Sequence, residues 1–205
     1  MPIAKIHEGK LIGLNYIWKV ANDKQIILGV DPGTIVLGYG IIEVQKQKVT
    51  LLSMGVIQLS KYDDSLQKLR IIYEKIQGLI ENYHPTICAI ETPFYGKNVQ
   101  SMLKLGRAQG VAIASALTKG VEVYEYAPKK IKQSITGNGN ASKEQVAAML
   151  KQQIGFEIQP KFHDATDGLA AAVCHHYQNR VTGVGVDKKV SGWADFIKQN
   201  PTKVK

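Results

Sequence analysis

The sequence predicts a mixed α/β domain built on a five-stranded sheet, three strands antiparallel and then two parallel, flanked by helices. Three observations predict it. Between residues 26 and 59, three short apolar runs rich in β-branched residues are separated only by turn-length gaps, which makes them antiparallel neighbours. Between residues 86 and 126, a strand, a long helical pattern and another strand follow in succession, which implies a parallel crossover. The rest of the body, to about residue 177, carries helix-start signals and helical spacing.

The first strand, 26–31, is too short for a helix and closes on Pro32-Gly33, a turn signal that returns the chain into a second strand at 37–45. A Lys-Gln-Lys turn leads to the third strand, 49–59. Asp63 or Asp64 can cap a helix in which Leu66, Leu69, Tyr73, Ile76 and Ile80 recur at helical spacing, ending before Pro85. Residues 86–90 form a buried strand that ends in Glu91, and a turn with Pro93 follows. A long helix then covers 98–119, and the last strand covers 121–126. Pro128 suits the first turn of a helix over 129–135, Ser142 caps a helix over 143–153, and 163–177 form the last helix. Residues 1–24 show no clear period and read as an N-terminal extension to a domain at 25–180. Residues 181–205 read as a tail with one amphipathic patch at Trp193, Phe196 and Ile197.

With 205 residues the chain has room for one substantial domain, and its net charge of +9 points to a polyanionic partner, most commonly nucleic acid. Cys88 and Cys174 lie in apolar contexts without zinc spacing, as buried thiols of a reducing cytosol do. No apolar stretch approaches the roughly 18 residues needed to cross a bilayer, and the N-terminus lacks a signal-peptide core. A cytoplasmic protein is expected.

Four acids stand out. Asp31 and Glu91 sit where buried strands emerge, a costly place for a charge unless something cationic compensates it. Asp164 and Asp167 are spaced i, i+3, so they share the first turn of the last helix, where the helix dipole alone would also favour acids. Hard oxygen ligands of this number and charge suit two Mg2+ or Mn2+ ions, which can activate water and stabilise the leaving oxygen of a phosphodiester. Lys97, Lys104, Arg107, Lys129 and Lys130 are basic candidates for contact with a nucleic-acid backbone.

The joint placement of the acids on such a sheet resembles the ribonuclease-H-like nucleases. The resemblance narrows with Leu-Gly-Val-Asp-Pro-Gly-Thr at 28–34, Ala-Ile-Glu-Thr-Pro-Phe at 89–94 and Lys-Leu-Gly-Arg-Ala-Gln-Gly-Val-Ala at 104–112. Two further segments, Ile-Lys-Gln-Ser-Ile-Thr-Gly-Asn-Gly-Asn-Ala-Ser-Lys-Glu-Gln-Val at 131–146 and His-Asp-Ala-Thr-Asp-Gly-Leu-Ala at 163–170, complete a collinear match over about 26–178. Together they resemble the RuvC family of bacterial Holliday-junction resolvases. The resemblance implies metal binding by Asp31, Glu91, Asp164 and Asp167, junction contact and a catalytic part for Lys132 and Lys143, and base stacking by Phe94. It also implies a homodimer formed through the long helix, a four-way DNA junction as substrate, and RuvA and RuvB as branch-migration partners. Some members carry His at the third acid position; here Asp164 occupies it and His163 precedes it, in a capping or surface role. Gly168 stands where alanine is usual.

Asp-x-Gly-Thr after a strand also opens the phosphate loop of actin-like and sugar-kinase-like ATPases, but the second lobe those proteins need is missing from this sequence. A junction-binding protein that has lost cleavage is disfavoured by four intact acids. Gly38 and Gly40 fit close strand packing or a bulge, Met102, Leu105, Ala108 and Ala112 fit a packing seam, and His175 and His176 lie away from the acids without a catalytic part.

Overall fold

The structure is a computed structural model, and it describes residues 24–46, 48–93, 98–156 and 163–183. β1 (Lys24–Asp31), β2 (Val36–Gln45) and β3 (Lys48–Gln58) form an antiparallel meander. After α1 (Ser65–Tyr83), β4 (Ile87–Glu91) returns beside β1 in parallel, and after α2 (Val99–Leu117), β5 (Glu122–Tyr126) pairs in parallel with β4. The sheet order is β3-β2-β1-β4-β5, and its three antiparallel and two parallel strands are those expected from the sequence. α3 (Pro128–Thr136), α4 (Lys143–Ile154) and α5 (His163–Gly183) complete the body.

The four consecutive buried residues Ile27 to Val30 mark β1 as a central strand covered on both faces. Alternation along the strand then divides its side chains between two cores. Ile27 packs with Ile42, Ile87, Leu169 and Val173 beneath α5, whereas Leu28 and Val30 pack with Ile41, Ile72, Ile76, Ala108 and Ala112 beneath α1 and α2. The small residues of α5 let it lie directly on the sheet. A Cβ on Gly168 would stand 2.6 Å from the Cα of Tyr39, and one on Gly40 would stand 2.7 Å from the backbone nitrogen of Leu169. The glycines of β2 therefore serve close packing.

Local signals set most helix starts. Asp64 is the acid that caps α1, its Oδ2 accepting from the Gln67 N–H at 2.9 Å, and Asn98 caps α2. α5 departs from expectation: it continues past Tyr177 through Gly183, since Gln178 to Thr182 include no helix breaker. Among the described residues no helix is long and apolar enough to cross a membrane.

Both parallel central strands end at one edge of the sheet, and this positions the site. β3 runs in the same direction as β1, two antiparallel steps away, so α1 and α2 also begin at that edge.

Candidate active site

Val30 pairs with Ile90 across β1 and β4, so the next residue of each strand, Asp31 and Glu91, stand side by side where the sheet ends. α5 supplies Asp167 from above, α3 supplies Lys132, and α4 supplies Lys143 as its first residue. These five side chains line one small cavity of about 60 Å³, walled by Pro128, Ile131, Val146 and Ala170. The start of α4 is held by a reciprocal capping box, in which Ser142 Oγ accepts from the Gln145 N–H and Gln145 Oε1 accepts from the Ser142 N–H. Lys143 Nζ thereby reaches Asp167 Oδ2 at 2.5 Å.

Asp164 does not line the cavity. It is exposed in the first turn of α5, and its backbone packs on Gly38, the β2 partner of Asp31. It therefore stands on the side of Asp31 away from Glu91, close enough for its charge to act on Asp31. A step of i, i+3 turns a helix by about 300°, so the two acids share a side without sharing a cavity.

The electrostatics are those of crowded acids. Burial, and then the charge of Asp167, push the Asp31 carboxyl up to about 7 against the pull of Lys143. Burial and then Asp31 push Glu91 up to about 8, with Lys143 and Lys132 opposing. Burial also raises Asp167, although its hydrogen bond from Lys143 works the other way. Burial acts to lower Lys143, but the bond to Asp167 and the surrounding carboxylates outweigh it and hold the ammonium charged.

Two lysines thus fail to offset the cavity's carboxylates, and further positive charge would be bound favourably there. Hard carboxylate oxygens fit a divalent cation of the Mg2+ or Mn2+ kind. Among the described residues no three His, Cys, Asp or Glu side chains are drawn into a preformed cage. Mg2+ does not require such a cage, since it is commonly held by one or two carboxylates, retained waters and substrate phosphate.

The other candidates are dispersed. Lys104 and Arg107 of α2 lie along a second groove, and Lys129 and Lys130 are exposed on α3 outside the cavity. Phe94 and Lys97 lie outside the described residues, as does the side chain of His163. His175 is buried, with Nδ1 2.8 Å from the Tyr126 hydroxyl and Nε2 2.8 Å from Asn179 Nδ2. Tyr126 is the β5 partner of Glu91, so this histidine ties α5 to the strand beside the site. Its helical position alone carried no sign of that link. Lys68 of α1 faces the second groove too; one lysine on an amphipathic helix has no distinguishing pattern in sequence.

A sheet of this order, with acids at the ends of its first and fourth strands and an acidic helix laid across it, defines a nuclease of the ribonuclease-H-like class. The family model "Crossover junction endodeoxyribonuclease RuvC" matches residues 27–175, and the chain belongs to that family. The protein of that name from Cytophaga hutchinsonii is 61% identical over 88% of this chain and 88% of its own length. The one from Christiangramia forsetii is 56% identical over 91% of this chain and 96% of its own. Among solved structures, Thermus thermophilus RuvC in complex with a Holliday junction substrate superposes with a TM-score of 0.71 at 29% identity, covering 77% of this chain and 96% of that one. The yeast mitochondrial Holliday junction resolvase shares the fold, with a TM-score of 0.59 at 15% identity over 84% of this chain and 83% of its own.

Proposed function

We propose that this chain resolves Holliday junctions in recombination and repair by paired, metal-dependent nicks in opposing strands. The observation that carries the reading is the cavity itself: Asp31, Glu91 and Asp167 with Lys132 and Lys143, at the strand ends of a ribonuclease-H-like sheet. Asp164 joins the set by charge, one helical turn before Asp167. Two Mg2+ ions, with Mn2+ as substitute, bound by these acids would supply an activated water and neutralise the leaving oxygen.

The chain's own residues perform the rest. Lys143 holds its proton and orients Asp167 while remaining half exposed toward substrate phosphate. Lys132 presents a second cation to the same cavity. Burial keeps the carboxylates short of water and raises their hold on protons, so a cation that binds them near neutral pH displaces protons and its affinity rises with pH. Phe94 stacks on a base at the crossover, and Lys97, Lys104, Arg107, Lys129 and Lys130 hold backbone phosphates.

The working unit is a homodimer, since a two-fold junction must be cut twice. Its interface is the outer face of α2, where Val99, Leu103 and Leu117 are exposed and nothing stands within 4 Å of a Cβ built on Gly106 or Gly110. The nuclease domain spans 25–180, with 1–24 and 181–205 as appendages; RuvA and RuvB are its partners and the cytoplasm its place of action.

A synthetic mobile four-way junction, a linear duplex and an RNA–DNA hybrid, each offered with Mg2+, test the reading. Paired symmetric nicks in the junction alone are expected. Equal cutting of all three substrates, or none of any, would overturn it.

A further inference from the structure

The catalytic cavity is not the largest concavity on its edge of the sheet. On the opposite face, beyond the turn that follows Asp31, a groove of about 370 Å³ opens between α1 and α2. Thr34 from the turn, Ser65 and Lys68 from α1, and Ser101, Lys104 and Arg107 from α2 bring hydroxyls and cations to it. The topology explains the convergence: β3 and β4 both end at the edge where β1 ends, so the helices that follow them begin there.

The charges of this groove are not spent internally. Among the described residues none of Lys68, Lys104 and Arg107 forms an ion pair, unlike Lys24, Arg70, Lys119 and Lys143. Among the described residues Asp63 is the one acid lining the groove, which leaves a clear excess of positive charge. The helix starts themselves are already satisfied, α1 by Asp64 and α2 by Asn98, so the cations and hydroxyls carry the argument. Three unpaired cations that face one concavity repel one another, an arrangement that a bound polyanion relieves.

We propose that this groove is a second phosphate track, which holds the sugar–phosphate backbone of the DNA after it has crossed the Pro32–Ile35 turn from the cleavage cavity, with Lys68 as a binding residue. The inference rests on the reading of the chain as a DNA nuclease. It adds a contact on the α1–α2 face of the sheet, separate from the acids, and assigns it to the backbone, because lysine, arginine and hydroxyl groups are the usual partners of phosphate oxygens and no Asn, Gln or aromatic side chain lines the groove among the described residues.

The salt dependence of binding tests the track without requiring catalysis. Association of full-length protein with a junction and with a linear duplex is measured across a salt series in EDTA, for wild type, Lys68→Ala, Lys68→Arg, the triple variant Lys68→Ala/Lys104→Ala/Arg107→Ala, and Lys75→Ala. Lys75→Ala removes the same charge from the same helix, outside the groove. Each lost phosphate contact lowers the slope of log K against log salt by about 0.9. Lys68→Ala should therefore lose close to one such increment and the triple variant more than two, while Lys68→Arg and Lys75→Ala keep the wild-type slope. Lys68→Ala and the triple variant matching Lys75→Ala on both DNAs would overturn the track. A wild-type protein that binds DNA but never nicks junctions would overturn the nuclease reading alone, and the slopes would still decide the groove.

Discussion

At the scale of single residues, Asp31 is the most informative position. As a ligand, it contributes an anionic oxygen that an amide cannot replace, so Asp31→Asn should lose junction nicking by several orders of magnitude while junction binding survives. Gel assays of binding and cleavage on that variant check it, and nicking near the wild-type rate would return Asp31 to an ordinary turn acid. A pH dependence follows from the same crowding. In the folded, metal-free protein Asp31 keeps its proton up to about 7 and Glu91 up to about 8, whereas the unfolded chain gives both up near the usual carboxylate range. The folded state binds more protons across that interval, so stability falls as pH rises through it and the penalty is fully present above it. Thermal melts in EDTA should show a midpoint lower at about pH 8 than at about pH 5, with Asp31→Asn flattening the decline. Added Mg2+ should raise the midpoint more at the higher pH, because binding to the folded state alone stabilises it.

At the scale of elements, placement of the site depends on how α4 and α5 meet the sheet. The capping box at Ser142 fixes the turn that carries Lys143, so Ser142→Ala should cost about 1 kcal/mol of stability. It should also slow nicking beyond what that loss explains, because Lys143 would no longer be held against Asp167; denaturant titration and single-turnover rates separate the two effects. On β2, Gly40 faces the backbone of Leu169, which cannot yield as the end of a flexible side chain can. Gly40→Val should lift α5 and destabilise by about 3 kcal/mol, at the upper end for overpacking. A midpoint unchanged in urea would show that α5 has more clearance than its contact implies. Gly168 belongs to the same seam from the helix side, where a Cβ would stand 2.6 Å from the Cα of Tyr39.

At the scale of the whole molecule, one monomer offers one acid-lined cavity among the described residues, and the exposed apolar face of α2 is the proposed place for a second copy. Leu103→Glu should shift the protein from dimer to monomer in sedimentation analysis and convert paired cuts into uncoordinated single nicks, while the fold persists because Leu103 is 56% exposed. Much of this architecture could be read along the chain. The turn at Pro32-Gly33, the cap at Ser142 and at one of Asp63 and Asp64, and the apolar run of β1 are local features, so the mixed sheet and the two strand-end acids followed from sequence spacing. The placement of Asp164 outside the cavity was not legible, nor was the pairing of Lys143 with Asp167, the tie from His175 to Tyr126, or the meeting of Lys68 with Arg107. Each depends on the angle and depth at which helices distant in sequence cross the sheet, and the glycines of β2 and α5 set that depth for α5. Local periodicity gives a residue its side of a helix, but the neighbours on that side are chosen by packing.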